Sequence, residues 1–317
     1  MAYALLFPGQ GSQFAGMGLD VRDAFPSAAE VFKRADDALA YPLSRVIFEG
    51  PEEELKKTEV TQPAILATSI AVLAALRDSA GQELNPAFLA GHSLGEYTAL
   101  VAGGSLSLED CVRLVATRGR LMQEAVPEGK GAMAAILGLD SSAVEEICAE
   151  ATPGGECQPA NFNSPGQVVV SGETGAVQRV MDLAKTRGAK KVVPLNVSAP
   201  FHSSLMRPVA SRLMEAFGEC TWKEPSAPVV SNAFARPVST VKEIQGALFD
   251  QTFMPVLWDR SVNWMADAGV GAFLEIGPGT VLAGLVKKCR KGLLVQSCGA
   301  VGDIEKTVSI LKGDDAA

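Results

Sequence analysis

The sequence predicts an α/β fold in which a large α/β-hydrolase-like domain carries an inserted, ferredoxin-like (βαββαβ) small domain. Three observations point there. Short apolar runs at 3–7, 87–90 and 272–276 stand beside long helical patterns, as strands and their covering helices require. The stretch Gly91-His92-Ser93-Leu94-Gly95 falls between such a run and a helix, so it reads as a tight strand-to-helix turn. From residue 131 the order becomes β-α-β-β-α-β, the split unit of a self-contained small domain.

Taken in order, residues 3–7 form a first strand that ends in the loop Pro8-Gly9-Gln10-Gly11-Ser12. This loop does not cradle phosphate. In a G-x-G-x-x-G frame the third glycine is Phe14, and in a G-x-x-x-x-G-K frame the lysine is Met17, so its glycines serve another close backbone approach. A buried, Ala/Leu-rich helix is predicted over 62–77, with Pro63 in its first turn. The strand 87–90 leads through Ser93 into a helix ending near 101, and a second long helix covers 108–126. The small domain follows as strand 132–137, helix 141–150, strands 158–162 and 167–171, helix 175–187 and strand 191–195. The glycine-rich segment 127–131 leads into it and Ser198-Ala199-Pro200 leads out, which sets the boundaries at 1–127, 128–198 and 199–317. The large domain closes with strand 272–276, the turn Gly277-Pro278-Gly279 and a basic helix; 313–317 reads as disordered.

The chain has 317 residues, of which 47% are apolar, enough to fill such a core without metal or disulfide staples. Six scattered cysteines with no C-x-x-C pair read as reduced thiols of a cytoplasmic protein. The first residues lack the basic flank and the length of a signal peptide, and the most apolar segment, 64–76, is too short to span a bilayer. A net charge of −8 disfavours nucleic acid as a partner. Two local basic clusters stand against it: Lys185, Arg187, Lys190 and Lys191, and Lys287, Lys288, Arg290 and Lys291. Each reads as a solvated face or as a docking patch for an acidic partner.

In the turn at Ser93, flanking glycines tolerate a crowded backbone and leave the hydroxyl exposed, the arrangement of a nucleophile. A serine needs a base, and the chain holds only two histidines. His92 precedes the serine on the elbow and projects away from it, which leaves His202 as the candidate unless a lysine acts instead. The acids between serine and histidine, such as Asp140 and Asp182, lie in the inserted domain, so a Ser–His dyad oriented by a neutral carbonyl is favoured. On helix 108–126, Arg113 has Glu109 at helical spacing and Arg120 has Glu124, whereas Arg118 shares its face with Cys111, Leu114, Leu121 and Ala125. An unpaired cation there costs about 3–5 kcal/mol, and a ligand carboxylate gripped by the guanidinium fork would supply the missing anion. A distant acid in the fold is the alternative. An acyl group ending in a free carboxylate, such as malonyl, uses that cation; a neutral ester does not.

With these residues in hand, the chain resembles the malonyl-CoA:acyl carrier protein transacylases of type II fatty acid synthesis. The likeness runs through Phe7 to Gln13, Gly91 to Gly104, Thr117-Arg118-Gly119, Asn161 to Gln167, Pro200-Phe201-His202-Ser203, Gln251 with Pro255 and Trp258, and Glu275 to Gly279. The resemblance implies Ser93 as nucleophile, His202 as its base and Arg118 as the grip on the malonyl carboxylate. It further implies backbone N–H donors from Gln10 and Leu94 to the oxyanion, a Gln251 main-chain carbonyl orienting the histidine, and Asn163 with the small domain as one wall of the cleft. Phe201, before the histidine, tilts the expectation towards malonyl over methylmalonyl. No cofactor or metal is implied; malonyl-CoA is the substrate, and an acidic acyl carrier protein docks on one of the basic clusters. Competing readings are an acyltransferase serving a polyketide synthase in trans, a serine thioesterase or esterase on the same elbow, and a non-catalytic acyl-binding module.

Overall fold

A computed structural model describes residues 1–197 and 199–313. The strands are β1 (Tyr3–Phe7), β2 (Phe88–Gly91), β3 (Gly131–Leu137), β4 (Cys157–Ser164), β5 (Gln167–Glu173), β6 (Lys191–Pro194), β7 (Val229–Val230), β8 (Pro237–Val238), β9 (Ala272–Ile276) and β10 (Leu294–Cys298). They form two sheets. The larger has six strands in the order β10-β9-β1-β2-β7-β8, parallel except where β8 runs antiparallel to β7. In β1, Leu5 and Phe7 enter one hydrophobic core while Ala4 and Leu6 enter the other. A strand buried on both faces has no polar side, which is why its sequence reads as a continuous apolar run.

The smaller sheet has the order β4-β5-β3-β6 and is antiparallel throughout, with two helices, Ser141–Ala151 and Thr174–Thr186, between its strands. This is the expected ferredoxin-like order. The small sheet is fastened to the large part by β4, whose Phe162 N–H donates to Val256 O (2.9 Å) and whose Ala160 O accepts from Val256 N–H (2.8 Å). The Ser198 junction lies outside the described residues. So does the expected disordered tail except Gly313, which caps the last helix in a left-handed conformation.

Two expectations need correction. The buried helix spans Thr58–Ala80, so Pro63 sits in its second turn and not its first. At 23 residues, with a mean hydropathy of 1.5 over its most apolar 18-residue window, it is long and apolar enough to cross a membrane, yet 83% of that window is buried in the fold, which makes it the central core helix. On the helix Leu108–Glu124, Arg113 pairs with Asp110 (2.7 Å), because Glu109 is taken by Arg34 (2.7 Å) from 75 residues away; Arg120 does meet Glu124 (3.5 Å).

Because neighbouring strands are parallel, β1, β2, β7 and β9 all end on the same edge of the large sheet. The loops that follow them, including the Gly9 loop and the Ser93 turn, gather there, where α/β sheets bind ligands.

Candidate active site

The site begins with a backbone that only particular residues permit. Ser93 has φ 53° and ψ −106°, a conformation that costs about 1–3 kcal/mol for a side-chain-bearing residue. It lies between β2 and the helix Leu94–Ala102. A Cβ on Gly91 would collide with the Gly95 carbonyl, a Cβ on Gly95 with Phe7 O, and a Cβ on Gly9 with His92 O. The glycines of the first loop therefore let it lie directly against the serine turn. The Asn232 side chain ties the turn down: its Oδ1 accepts from Ser93 N–H (2.6 Å) and its Nδ2 donates to Gly91 O (2.7 Å).

His202, also at positive φ (57°) and 3% exposed, arrives from the far side of the chain. Its Nε2 is 2.7 Å from Ser93 Oγ and its Nδ1 is 2.8 Å from the main-chain oxygen of Gln251. A carbonyl only accepts, so Nδ1 carries the hydrogen and Nε2 presents its lone pair to the serine hydroxyl. Burial, then the nearby Arg118 charge, pushes the imidazole down to about 3, so it is neutral and ready to take a proton at physiological pH. His92 does not reach the serine hydroxyl. Its Nε2 bonds Asn163 Oδ1 (2.8 Å) and its ring packs on Trp258 (5.6 Å between centroids).

Arg118 is 1% exposed, and among the described residues no carboxylate pairs with it. Its Nη1 donates to Gln62 Oε1 (2.7 Å), and its Nη2 donates to Gln251 Oε1 (3.0 Å) and Ser93 Oγ (3.2 Å). The guanidinium also lies 5.1 Å from the Tyr97 ring centre. The cation is held entirely by neutral groups, which keep it oriented without cancelling its charge.

These residues surround a cleft of about 120 Å³ that opens to solvent. Gln10, Gln62 and Met122 line one side beside Ser93 and Arg118, while Met133, Asn161, Leu195 and Val197 of the small-sheet segment line the other; Phe201 and His202 complete it. Asn163, expected on this wall, is replaced there by Asn161. In β4 a register shift falls between Phe162 and Ser164, and Asn163 stands behind the wall holding His92. Leu94 opens its helix; in that first turn the Gly95 and Glu96 N–H groups donate to His92 O and Ser93 O, whereas the helix itself supplies no carbonyl for the Leu94 N–H. Gln10, in the loop after β1, faces the same cleft. Among the described residues no group of three or more His, Cys, Asp or Glu is placed to hold a metal.

Sequence reasoning missed Gln62, Asn232 and Glu96. Gln62 and Glu96 did leave a signal, each being a polar residue inside an otherwise apolar helix. Asn232 left none, because its partners are 139 and 141 residues away.

The chain matches the acyl transferase domain model over residues 4–312. It is 46% identical over 313 residues to the malonyl CoA-acyl carrier protein transacylase of Bacillus subtilis (strain 168), covering 98% of both chains. Among solved structures it superposes on the acyl-carrier-protein-S-malonyltransferase of Bartonella henselae with a TM-score of 0.96 at 42% identity, covering 98% of this chain and 100% of that one. It also superposes, at a TM-score of 0.94 and 42% identity over 99% of this chain and 100% of the other, on a malonyl-transacylase in complex with a type II PKS acyl-carrier protein.

Proposed function

Since this chain belongs to the malonyl CoA-acyl carrier protein transacylases of the acyl transferase family, we propose that Ser93, His202 and Arg118 carry that reaction here, with Gln10 and Leu94 as oxyanion donors. The enzyme transfers malonyl from malonyl-CoA to the phosphopantetheine thiol of acyl carrier protein and supplies fatty acid synthesis. The observation that supports the residue roles best is the meeting of three groups at one atom: Ser93 Oγ lies 2.7 Å from His202 Nε2 and 3.2 Å from Arg118 Nη2.

In the first half-reaction Ser93 Oγ attacks the thioester carbon as His202 Nε2 takes the hydroxyl proton. The Gln10 and Leu94 N–H groups receive the oxyanion, each worth roughly 3 kcal/mol in the transition state. Collapse breaks the carbon–sulfur bond, and His202 returns its proton to the departing sulfur, so coenzyme A leaves as a thiol. In the second half-reaction the phosphopantetheine thiol gives its proton to His202, attacks the malonyl ester and releases the Ser93 hydroxyl. Malonyl carries only one methylene between its two carbonyl carbons. A guanidinium already touching the nucleophile fits a carboxylate at that short reach.

Phe201 and the small sheet, with Asn161 on its wall, flank the acyl group and limit the access of water to the ester. The six free cysteines support a cytoplasmic setting. A type II polyketide carrier protein is a second acceptor, favoured by the likeness to the transacylase solved with such a partner.

Intact mass after incubation with malonyl-CoA tests the reading. A persistent single malonyl adduct, absent from Ser93→Ala and discharged by carrier protein, is expected; rapid hydrolysis without adduct would favour a thioesterase, and binding without turnover an acyl-binding module.

A further inference from the structure

Arg118 solves a problem that its function creates. A buried guanidinium needs an anion nearby, yet an acid in direct contact would occupy the fork that must receive the substrate carboxylate. The second buried charge at the site is Glu96, 1% exposed, one turn after the nucleophile. Its Oε2 accepts from Asn232 N–H (3.0 Å) and from Gln251 Nε2 (2.9 Å). Gln251 Nε2 also donates to Ser93 O (2.9 Å), and the other end of the same amide, Oε1, accepts from Arg118 Nη2 (3.0 Å). The amide is thus polarised end to end, its NH₂ against a carboxylate and its oxygen against a guanidinium. The reverse orientation would set NH₂ against cation and oxygen against anion.

We infer that Glu96 is the counter-ion of Arg118 at one remove, a positioning residue that acts through Gln251, whose amide keeps the two charges apart so that the guanidinium stays open to the malonyl carboxylate. Three further features agree. The peptide oxygen of Gln251 holds His202 Nδ1, so anchoring this one residue fixes both the cation and the base. Glu96 also holds the Asn232 backbone, and the Asn232 side chain holds the Ser93 turn. Burial pushes the Glu96 carboxyl up to about 7, while the Gln251 and Asn232 hydrogen bonds and the Arg118 charge act to keep it ionised.

The inference rests on the transacylase reading but is tested apart from it. Malonyl transfer by the wild-type enzyme tests the reading; the ratio of malonyl-CoA to acetyl-CoA affinity tests the relay. Ligand binding is measured by calorimetry at pH 8 in the Ser93→Ala protein, which cannot form the ester. Glu96→Gln keeps an oxygen for both accepted bonds but removes the negative charge. Malonyl-CoA should then bind roughly 3- to 10-fold tighter, because an anion repelling its carboxylate is gone, while acetyl-CoA binding stays within about twofold. With Ser93 restored, kcat for malonyl transfer should fall roughly tenfold, since the imidazolium formed in the transition state loses the same anion. Gln251→Met removes the spacer amide and keeps the main-chain carbonyl to His202. Carboxylate and guanidinium are then free to close on each other, and malonyl-CoA binding should weaken by roughly tenfold or more with acetyl-CoA unchanged. Opposite shifts of the malonyl-to-acetyl ratio in the two variants support the relay. An unchanged ratio in both, or parallel loss for both ligands, overturns it, and if either variant fails to fold the other decides alone.

Discussion

Ser93 Oγ and His202 Nε2 stand 2.7 Å apart across 109 residues of chain, with the inserted antiparallel sheet lying between them in sequence. The imidazole is oriented by a peptide oxygen and not by a carboxylate. A neutral partner does not stabilise the imidazolium as an acid would, so the base rests in its uncharged form.

That resting state has a pH signature. The folded-state value of His202, about 3, lies below its ordinary 6.5, so its contribution to stability is full above about 6.5 and is lost as pH falls towards 3. Glu96 runs the other way: raised from 4.5 to about 7, its contribution is full below 4.5 and is lost as pH rises through about 7. Each pKa unit is worth about 1.4 kcal/mol. Thermal unfolding from pH 4 to 8 should show His202→Gln losing less stability on acidification than wild type, and Glu96→Gln losing less as pH rises from 4.5 to 8. In kcat/KM for self-acylation, an inflection near neutrality should disappear in Glu96→Gln.

Arg118→Ala removes the charge that grips the substrate carboxylate. The loss in kcat/KM for malonyl-CoA should be roughly 2–5 kcal/mol, or roughly 30- to 5,000-fold. Acetyl-CoA, which has no carboxylate to lose, should be handled relatively better. Equal losses on the two substrates would make the arginine a structural residue.

Carrier docking is expected on the second basic cluster. In the first, Lys185 and Arg187 are already paired with Asp182, Glu146 and Glu150, whereas in the second, among the described residues, only Arg290 meets an acid, Asp267. Neutralising Lys287, Lys288 and Lys291 should raise KM for the carrier protein by roughly tenfold at low salt and leave coenzyme A exchange unchanged. Unchanged carrier kinetics would remove this surface from consideration.

Two glycines separate turn chemistry from ordinary helix propensity. Gly95→Ala drives a methyl into Phe7 O and should cost at least about 3 kcal/mol in chemical denaturation, with loss of acylation. Gly246→Ala, in the helix Val241–Gln251 with open space around it, should stabilise by about 0.5–1 kcal/mol.

What the sequence by itself determined is local. Apolar runs, helical periodicity and the Gly-x-Ser-x-Gly turn are set by neighbours within a few residues, so the serine elbow and the strands and helices named from the sequence were legible within small shifts, as Ala272–Ile276 and Leu108–Glu124 illustrate, whereas the short strands Val229–Val230 and Pro237–Val238 and the helices between 19 and 55 were not read. Arg118 was legible for the same reason, since helical spacing already showed it without an acid on its face. Partner choice was decided only by the tertiary structure. Glu109 goes to Arg34 and not to Arg113, Asn161 and not Asn163 faces the cleft, and Gln62, Glu96, Gln251 and Asn232 converge on one buried network. Those bonds join residues 56 to 155 positions apart, and a hydrogen bond that short in range forms only after packing has brought its two ends together.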